Sequence, residues 1–272
     1  DRIDERRLVE MAPDVETAKR RKKFAQKARQ RIGEYLLPKI SSEVGGRRRL
    51  LDQPPILFHF DEKGDLVRAR EAMEDYRLSL SDSVRVLFDR YRLEDIAVKV
   101  VGIGSVGMRC LVGLFSSDEG HPLLLQFKEA CPSVLAPYAG DSVYPNQGQR
   151  VVTGQRLMQS SSDIFLGWTR GRKGHHFFGR QLRDMKFSFP IELAPPKGLR
   201  LYAEVCGWTL ARAHAKSGDA ATISGYLGRS DAFDKAIGRF ALAYADQNAR
   251  DHAALAAAAS SGRIEALVEE DL

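Results

Sequence analysis

Three glycines and one lysine are the residues of this sequence whose types and spacing best fit a phosphate-binding site. Gly102, Gly104 and Gly107 form the pattern G-x-G-x-x-G, with Ser105 between them. Glycine lets a phosphate approach the main chain, which offers its N–H groups as donors. Lys128 ends an apolar run further along the chain. A lysine in that place can reach the α- and β-phosphates of a nucleotide.

The residues after the glycines decide between two phosphate-binding designs. In a dinucleotide-binding unit the glycines open a helix. Here Met108–Phe115 is short and rich in small and β-favouring residues, and the turn cluster Ser116–Gly120 follows it. We therefore predict a strand, which places the glycines in a hairpin, as in the flap that covers ATP in protein-kinase-like folds. Leu123–Lys128 is predicted to be the next strand. The plainer interpretation is a shaped hairpin followed by an exposed lysine at a strand end.

The apolar run that begins at Ile96 and leads into the glycines is the first predicted strand. With the two strands above, two further strands complete a predicted five-stranded antiparallel sheet with one flanking helix. The pattern of Gln149–Ser160 predicts the helix. Ile164–Thr169 and His175–Met185 predict a second hairpin. His175 and His176 are adjacent, so on a strand they point to opposite faces and cannot chelate one metal ion.

The predicted flanking helix departs from the kinase pattern. In kinase-like folds this helix supplies a glutamate that pairs with the lysine, and here it contains none. Gln155 is a neutral residue that could orient Lys128. Glu129 follows the lysine directly, so on a strand it points the other way.

The first part of the chain predicts a basic, helical lead-in. Val15–Leu36 has helical spacing, with a basic face that could contact nucleic acid or acidic lipid. No aromatic platform accompanies the charges, so a solvated helix face is favoured over nucleic-acid binding. Arg47–Arg49 is predicted to lie in a turn, and Ile56–Phe60 to form a short strand. Two helices are predicted next, Val67–Tyr76 and Ser81–Tyr91. The basic face comprises Lys19, Arg20, Arg21, Lys22, Lys23, Lys27, Arg29 and Arg31.

The pattern becomes helical from Gly198 onwards. One helix is predicted to end near His214, and Asp231–Asn248 and Asp251–Gly262 predict two more. His214 with Asp219 resembles a catalytic pair, but a histidine at a helix end and a capping aspartate account for both. The fold class is therefore α+β, with a lead-in over residues 1–92, a sheet lobe over 93–190 and a helical lobe over 191–272.

The composition restricts the classes of protein to which this chain could belong. The chain of 272 residues is 43% hydrophobic, which is enough to bury a full core. A formal net charge of +6 permits an anionic ligand without identifying it. No apolar run is long enough to span a membrane. The three cysteines are scattered and lack metal-binding spacing. These cysteines and the missing membrane span together predict a cytoplasmic protein without disulfides.

Several longer phrases resemble a bacterial family known as domain of unknown function 2252. They are VVGIGSVGMRCLVGL, LLLQFKEACPSVL, GQRVVTGQRLMQSSSDIFLGW, RQLRDMK, CGWTLARAHAKSGD, GYLGRSDAFD and YADQNARDHAAL. The resemblance implies a kinase-like fold similar to aminoglycoside phosphotransferases, with ATP and Mg²⁺ as cofactors. It implies nucleotide contacts at Gly102, Gly104, Ser105, Gly107 and Lys128.

The resemblance also implies catalytic segments that this sequence lacks. Family members carry a GDxHxxNFG stretch and a DFD stretch upstream of the glycines, and neither is present here. We therefore expect the carboxy-terminal portion of a longer protein, with catalytic residues and metal ligands outside it. Three hypotheses result: the nucleotide-binding portion of a phosphotransferase, a non-catalytic binding or regulatory module that uses the basic helix, and a dinucleotide-dependent oxidoreductase. The phosphate acceptor is not identified.

Overall fold

A computed structural model describes residues 18–19, 22, 33–59, 65–100, 102, 107–171, 174–182, 191 and 194–265. The chain divides into two compact units, one ending at Ala213 and one beginning at His214. The predicted basic helix Val15–Leu36 lies largely outside the described residues. Within the described part, no helix is both long and apolar enough to cross a membrane.

The described elements are α-helices and antiparallel β-strands, so the predicted α+β class is confirmed. The helices are α1 Gly33–Ile40, α2 Asp65–Ser79, α3 Asp82–Phe88, α4 Ala136–Ala139, α5 Gln147–Met158, α6 Pro196–Ser217, α7 Ala220–Leu227 and α8 Ala232–Ser260. The strands are β1 Ser41–Val44, β2 Arg47–Leu50, β3 Leu57–Phe58, β4 Tyr91–Lys99, β5 Cys110–Ser117, β6 Pro122–Glu129, β7 Gly167–Arg170 and β8 His176–Gln181.

The main sheet has six strands, so the prediction of five was wrong. Its order is β3-β4-β5-β6-β8-β7, with antiparallel neighbours throughout. The additional strand is β3, where Leu57 pairs with Lys99 and Phe58 with Val98. The sequence pattern placed a strand at Ile56–Phe60. The pattern did not predict that this strand pairs with β4, because pairing between strands that are distant in the sequence leaves no local signal.

A separate two-stranded hairpin corrects a second prediction. Arg47–Arg49 was predicted to lie in a turn, but these residues form most of β2, paired with β1. The turn is made by Gly45 and Gly46, whose φ angles are +60° and +75°. Two consecutive residues with positive φ suit the tight turns that join twisted strands. The arginines therefore begin where the turn ends.

The six-stranded sheet carries a hydrophobic core on each face, and α2 and α3 cover the first. Tyr76 packs edge-on against Phe88 and Phe127, with ring centroids 5.4 Å and 5.1 Å apart. The Tyr76 hydroxyl donates to the Phe165 carbonyl. A Cβ added at Gly179 would lie 2.7 Å from both the Phe127 and Tyr76 rings, so this close approach needs glycine.

The second core, on the other face, is formed with α1 and the β1–β2 hairpin. It is aliphatic, in contrast to the aromatic first core. Its buried members are Leu37, Ile40, Leu50, Leu57, Ala97, Val112, Leu114, Leu124 and Leu182. The sheet is thus a two-faced layer, and each side chain on β4, β5 and β6 belongs to one face or the other.

The unit that begins at His214 contains α7 and α8. Asp219 caps α7, because its carboxylate accepts from the Thr222 N–H at 2.6 Å. The capping interpretation of Asp219 is therefore confirmed. The prediction of two helices, Asp231–Asn248 and Asp251–Gly262, was wrong, since α8 is continuous. Gln247 donates to Asp251 one turn on, so the polar residues between the two predicted helices lie within α8 and do not interrupt it.

Candidate functional site

The glycine-bearing segment connects β4 to β5 at one end of the sheet. It begins after Lys99 and ends before Cys110. The predicted strand Met108–Phe115 is confirmed by β5, so the glycines do not open a helix there, and the dinucleotide-binding design is excluded. Gly102 and Gly107 are exposed, and Gly107 has a φ of +78°. Gly104 and Ser105 lie outside the described residues, so their contact with phosphate stays a prediction.

Lys128 belongs to the face with the aliphatic core. Successive residues of a strand point to opposite faces. Leu124 belongs to the aliphatic core, whereas Leu125 and Phe127 belong to the aromatic core. Lys128 therefore shares its face with Leu124 and points away from α2 and α3. Among the described residues, its amine has neither a hydrogen bond nor an ion pair.

A row of residues across the sheet brings a second lysine to this face. Cys110 pairs with Lys128, and Val98 pairs with Leu111, so Lys99 is the residue beside Cys110 on β4. Directly opposed residues share a face. Lys99 and Lys128 therefore flank Cys110. The glycine-bearing connection leaves the sheet after Lys99 and re-enters it at Cys110.

Arg180 adds a third positive charge one row further into the sheet. It pairs with Gln126, so it too lies on the face of Lys128. Burial raises the pKa of the Cys110 thiol, and the positive charges of Lys128, Lys99 and Arg180 oppose this shift. The strand register places all three cations on the same face as the thiol. We call Lys99, Lys128 and Arg180 the cationic row.

The opposite face at this end holds a paired charge cluster. The Glu129 carboxylate accepts from the Arg109 N–H at 3.0 Å and from Arg109 Nη1 at 3.2 Å. His175 Nδ1 lies 2.8 Å from Glu129 Oε1. Burial opposes ionisation of Glu129, but the hydrogen bonds from Arg109 and His175 outweigh it and lower its pKa. The prediction that Glu129 points away from Lys128 is confirmed.

Helix α5 flanks the sheet at its β7 edge and supplies no partner for Lys128. Asn146 caps the helix, because its side chain accepts from the Gly148 and Gln149 N–H groups. Arg156 stacks over the Trp168 ring, 5.8 Å from its centroid. No hydrogen bond joins Gln155 to Lys128 in the described part of the chain, so the structure does not support Gln155 as the orienting residue.

The histidine pair behaves as its adjacency predicts. His175 faces Glu129, whereas His176 Nδ1 accepts from the Gln147 N–H at 3.1 Å. The two imidazoles thus serve different contacts. Among the residues that the structure describes, no group of three His, Cys, Asp or Glu is arranged to hold a metal ion.

A second charged cluster joins the β3 edge to the sheet. His59 Nδ1 lies 2.8 Å from Asp52 Oδ1, and its Nε2 lies 3.2 Å from Asp95 Oδ2. Asp95 follows a bulge in β4 and also accepts from the Leu50 N–H at 2.8 Å. With two carboxylates on one imidazole and backbone donors around them, the cluster ties the β1–β2 hairpin to β4. We therefore interpret this cluster as structural.

Sequence reasoning missed Lys99 and Arg180 as members of the site. Each lies on a strand of its own, and only the pairing of four strands brings them to Lys128. One signal was present for Lys99: it ends the strand before the glycines, and Lys128 is the penultimate residue of the second strand after them. No comparable sequence signal identifies Arg180.

The fold and this site define an α+β protein whose antiparallel sheet presents clustered cations beside a glycine-bearing connection. The chain belongs to the bacterial family DUF2252, described as an uncharacterized protein conserved in bacteria, whose model matches residues 1–258. No curated protein and no solved structure matches the chain.

Proposed function

We propose that this chain is the nucleotide-binding portion of a kinase-like phosphotransferase and binds the phosphates of ATP. The observation that carries the proposal is the position of Lys128. It stands at the end of the sheet where the glycine-bearing connection joins β4 and β5. Its amine has no carboxylate partner among the described residues, so it is available to an anionic ligand.

The order of the elements supports the kinase-like assignment. A glycine-bearing hairpin comes first, then the strand β6 with Lys128 at its penultimate position, and then, after the short α4, the flanking helix α5. This is the order of the protein-kinase signature. The departure from that signature is the missing glutamate of α5. We assign no catalytic base and no Mg²⁺ ligand, so Mg²⁺ would reach this site with ATP.

Calorimetric titration of Mg²⁺–ATP into the wild-type chain, Lys128→Ala and Arg92→Ala tests the proposal. We expect Lys128→Ala to weaken binding by roughly tenfold or more, the usual worth of a hydrogen bond to a charged group. Arg92 is the matched control, because it lies at the far end of β4 in an exposed ion pair with Asp118. Equal affinity in the wild type and Lys128→Ala would remove the lysine from the site.

A non-catalytic binding module is the second candidate, favoured by the absence of a carboxylate partner for Lys128 in the described part of the chain. In this case the same fold would hold an anionic partner, with the predicted basic helix Val15–Leu36 as a further contact. Heparin serves as the probe, since binding by released counterions weakens steeply with salt. Tight heparin binding without ATP binding favours this candidate. Heparin binding that is insensitive to salt contradicts it.

A further inference from the structure

A cavity of about 350 Å³ lies at the β7 edge of the main sheet, between the end of α2 and the start of α5. We propose that this cavity binds a small zwitterion with an aromatic body, of the class of free aromatic amino acids. Strand β8 separates β7 from β6, which carries Lys128, so the proposal does not depend on the nucleotide site. The residues that would contact the ligand are Asp75, Leu78, Trp168 and Arg170.

Hydrogen bonds within the protein hold the walls of the cavity together. The backbone N–H of Trp168 donates to Ser79 Oγ at 2.8 Å, which ties β7 to the last residue of α2. The Thr169 hydroxyl donates to the Ala72 carbonyl. The Asn146 side chain caps α5 and donates from Nδ2 to the Thr169 carbonyl at 3.4 Å. The cavity is therefore preformed, which lowers the cost of binding, and its volume is within the range of small-molecule sites.

Trp168 gives the cavity an aromatic wall. Arg156 lies over the indole, 5.8 Å from the ring centroid, and its Nη2 donates to the Leu166 carbonyl. This hydrogen bond holds the guanidinium against the ring. Leu78 lines the same cavity and is 56% exposed, so apolar surface is available there as well. A ligand ring in the cavity gains aromatic contact and buries apolar surface.

Two opposite charges line the cavity without pairing. Asp75 and Arg170 are both exposed, and in the described part of the chain neither side chain has a hydrogen bond or an ion pair, with the other or with any third residue. A carboxylate binds an ammonium group, and the planar fork of arginine suits a carboxylate. A ligand that carries an ammonium group, a carboxylate and an aromatic ring therefore matches both charges and the indole wall.

Fluorescence titration of the full chain with L-phenylalanine tests the proposal. The sequence contains two tryptophans, so Trp208→Phe leaves Trp168 as the only one. In this parent variant we expect a saturable change in Trp168 emission. Adding Asp75→Asn or Arg170→Gln should weaken binding by about tenfold, the usual worth of a hydrogen bond to a charged group.

Matched controls separate the cavity charges from charge in general. Asp118→Asn and Arg92→Gln change an exposed ion pair whose members do not line the cavity, and both should bind L-phenylalanine as the parent does. Phenethylamine lacks the carboxylate and 3-phenylpropanoate lacks the ammonium group. Each should bind about tenfold more weakly than L-phenylalanine. Urea unfolding of each variant confirms that it is folded.

Three results would overturn the proposal. The first is the absence of a saturable signal with L-phenylalanine at millimolar concentration. The second is equal affinity in the parent, Asp75→Asn and Arg170→Gln, since the two charges would then play no part. The third is phenethylamine binding as tightly as L-phenylalanine, which would show a site for amines. None of these results bears on Lys128, whose test is the binding of Mg²⁺–ATP.

Discussion

The two faces of the six-stranded sheet carry opposite arrangements of charge at the end where β4 and β5 join. On the face with the aromatic core, Glu129 is bound by Arg109 and His175, and its side chain is only 9% exposed. On the other face, Lys99, Lys128 and Arg180 surround a neutral thiol. The first face thus holds an ion-paired carboxylate, whereas the second holds Lys128, whose amine has no hydrogen bond or ion pair among the described residues.

The paired face has a consequence for the position of the glycine-bearing connection. Arg109 also accepts from the Glu129 N–H at 2.8 Å, so both its backbone and its side chain are held to β6. Arg109 lies two residues after Gly107, at the stem of the glycine-bearing connection. The paired face therefore fixes where the connection enters the sheet. Lys128, which precedes Glu129, lies on the other face of β6.

The largest expected effect comes from breaking the paired face. Glu129→Ala removes a nearly buried carboxylate and leaves the Arg109 N–H and the His175 imidazole without their acceptor. We expect the free energy of unfolding to fall by about 3 kcal/mol. Urea denaturation measures this value. Asp118→Ala is the control, since its ion pair with Arg92 is exposed and should contribute less than about 0.5 kcal/mol. Similar losses in both variants would show that the Glu129 cluster contributes no more to the free energy of unfolding than an exposed ion pair does.

Acid should remove most of the same stabilisation without a mutation. Because the folded state lowers the pKa of Glu129, the group stabilises the fold above its unfolded pKa of about 4.3. This contribution is lost as the pH falls through the lower, folded value. We expect the difference in unfolding free energy between wild type and Glu129→Gln to be constant down to about pH 5 and to shrink below about pH 4.3. A difference that widens in acid would contradict the assigned pKa direction.

The smallest expected effect comes from changing Lys128, on the other face. Lys128→Ala removes one of three neighbouring positive charges and no described hydrogen bond. We expect the free energy of unfolding, without ligand, to stay within about 0.5 kcal/mol of wild type or to rise. Urea denaturation in low salt measures it. A loss as large as that of Glu129→Ala would mean that Lys128 has a structural partner, and the contrast between the faces would disappear.

The sequence predicted those features of the site and fold that depend on neighbouring residues. The strand after the glycines follows from small and β-favouring residues, and the opposite orientations of Lys128 and Glu129 follow from the two-residue period of a strand. Asp219 as a cap follows from its place before α7. Each of these needs only a few neighbouring residues.

The parts that the sequence did not predict depend on pairing over long distances or on ambiguous runs. Lys99 and Arg180 reach Lys128 only because β4, β5, β6 and β8 are adjacent. Three consecutive arginines lack the apolar alternation of a strand, yet Arg48 is half-buried opposite Glu43 in β2. Helix α8 passes through polar residues that resemble a helix end, because nothing there prevents another helical turn.

The adjacency of Lys128 and Glu129 has a consequence for variation within β6. Inserting one residue early in this strand would turn every later side chain to the other side of the sheet. Glu129 would then face the side of Lys99 and Arg180, while a lysine would face Arg109. An insertion or deletion in this strand would thus disturb the position of Lys128 and the anchoring of Arg109 together.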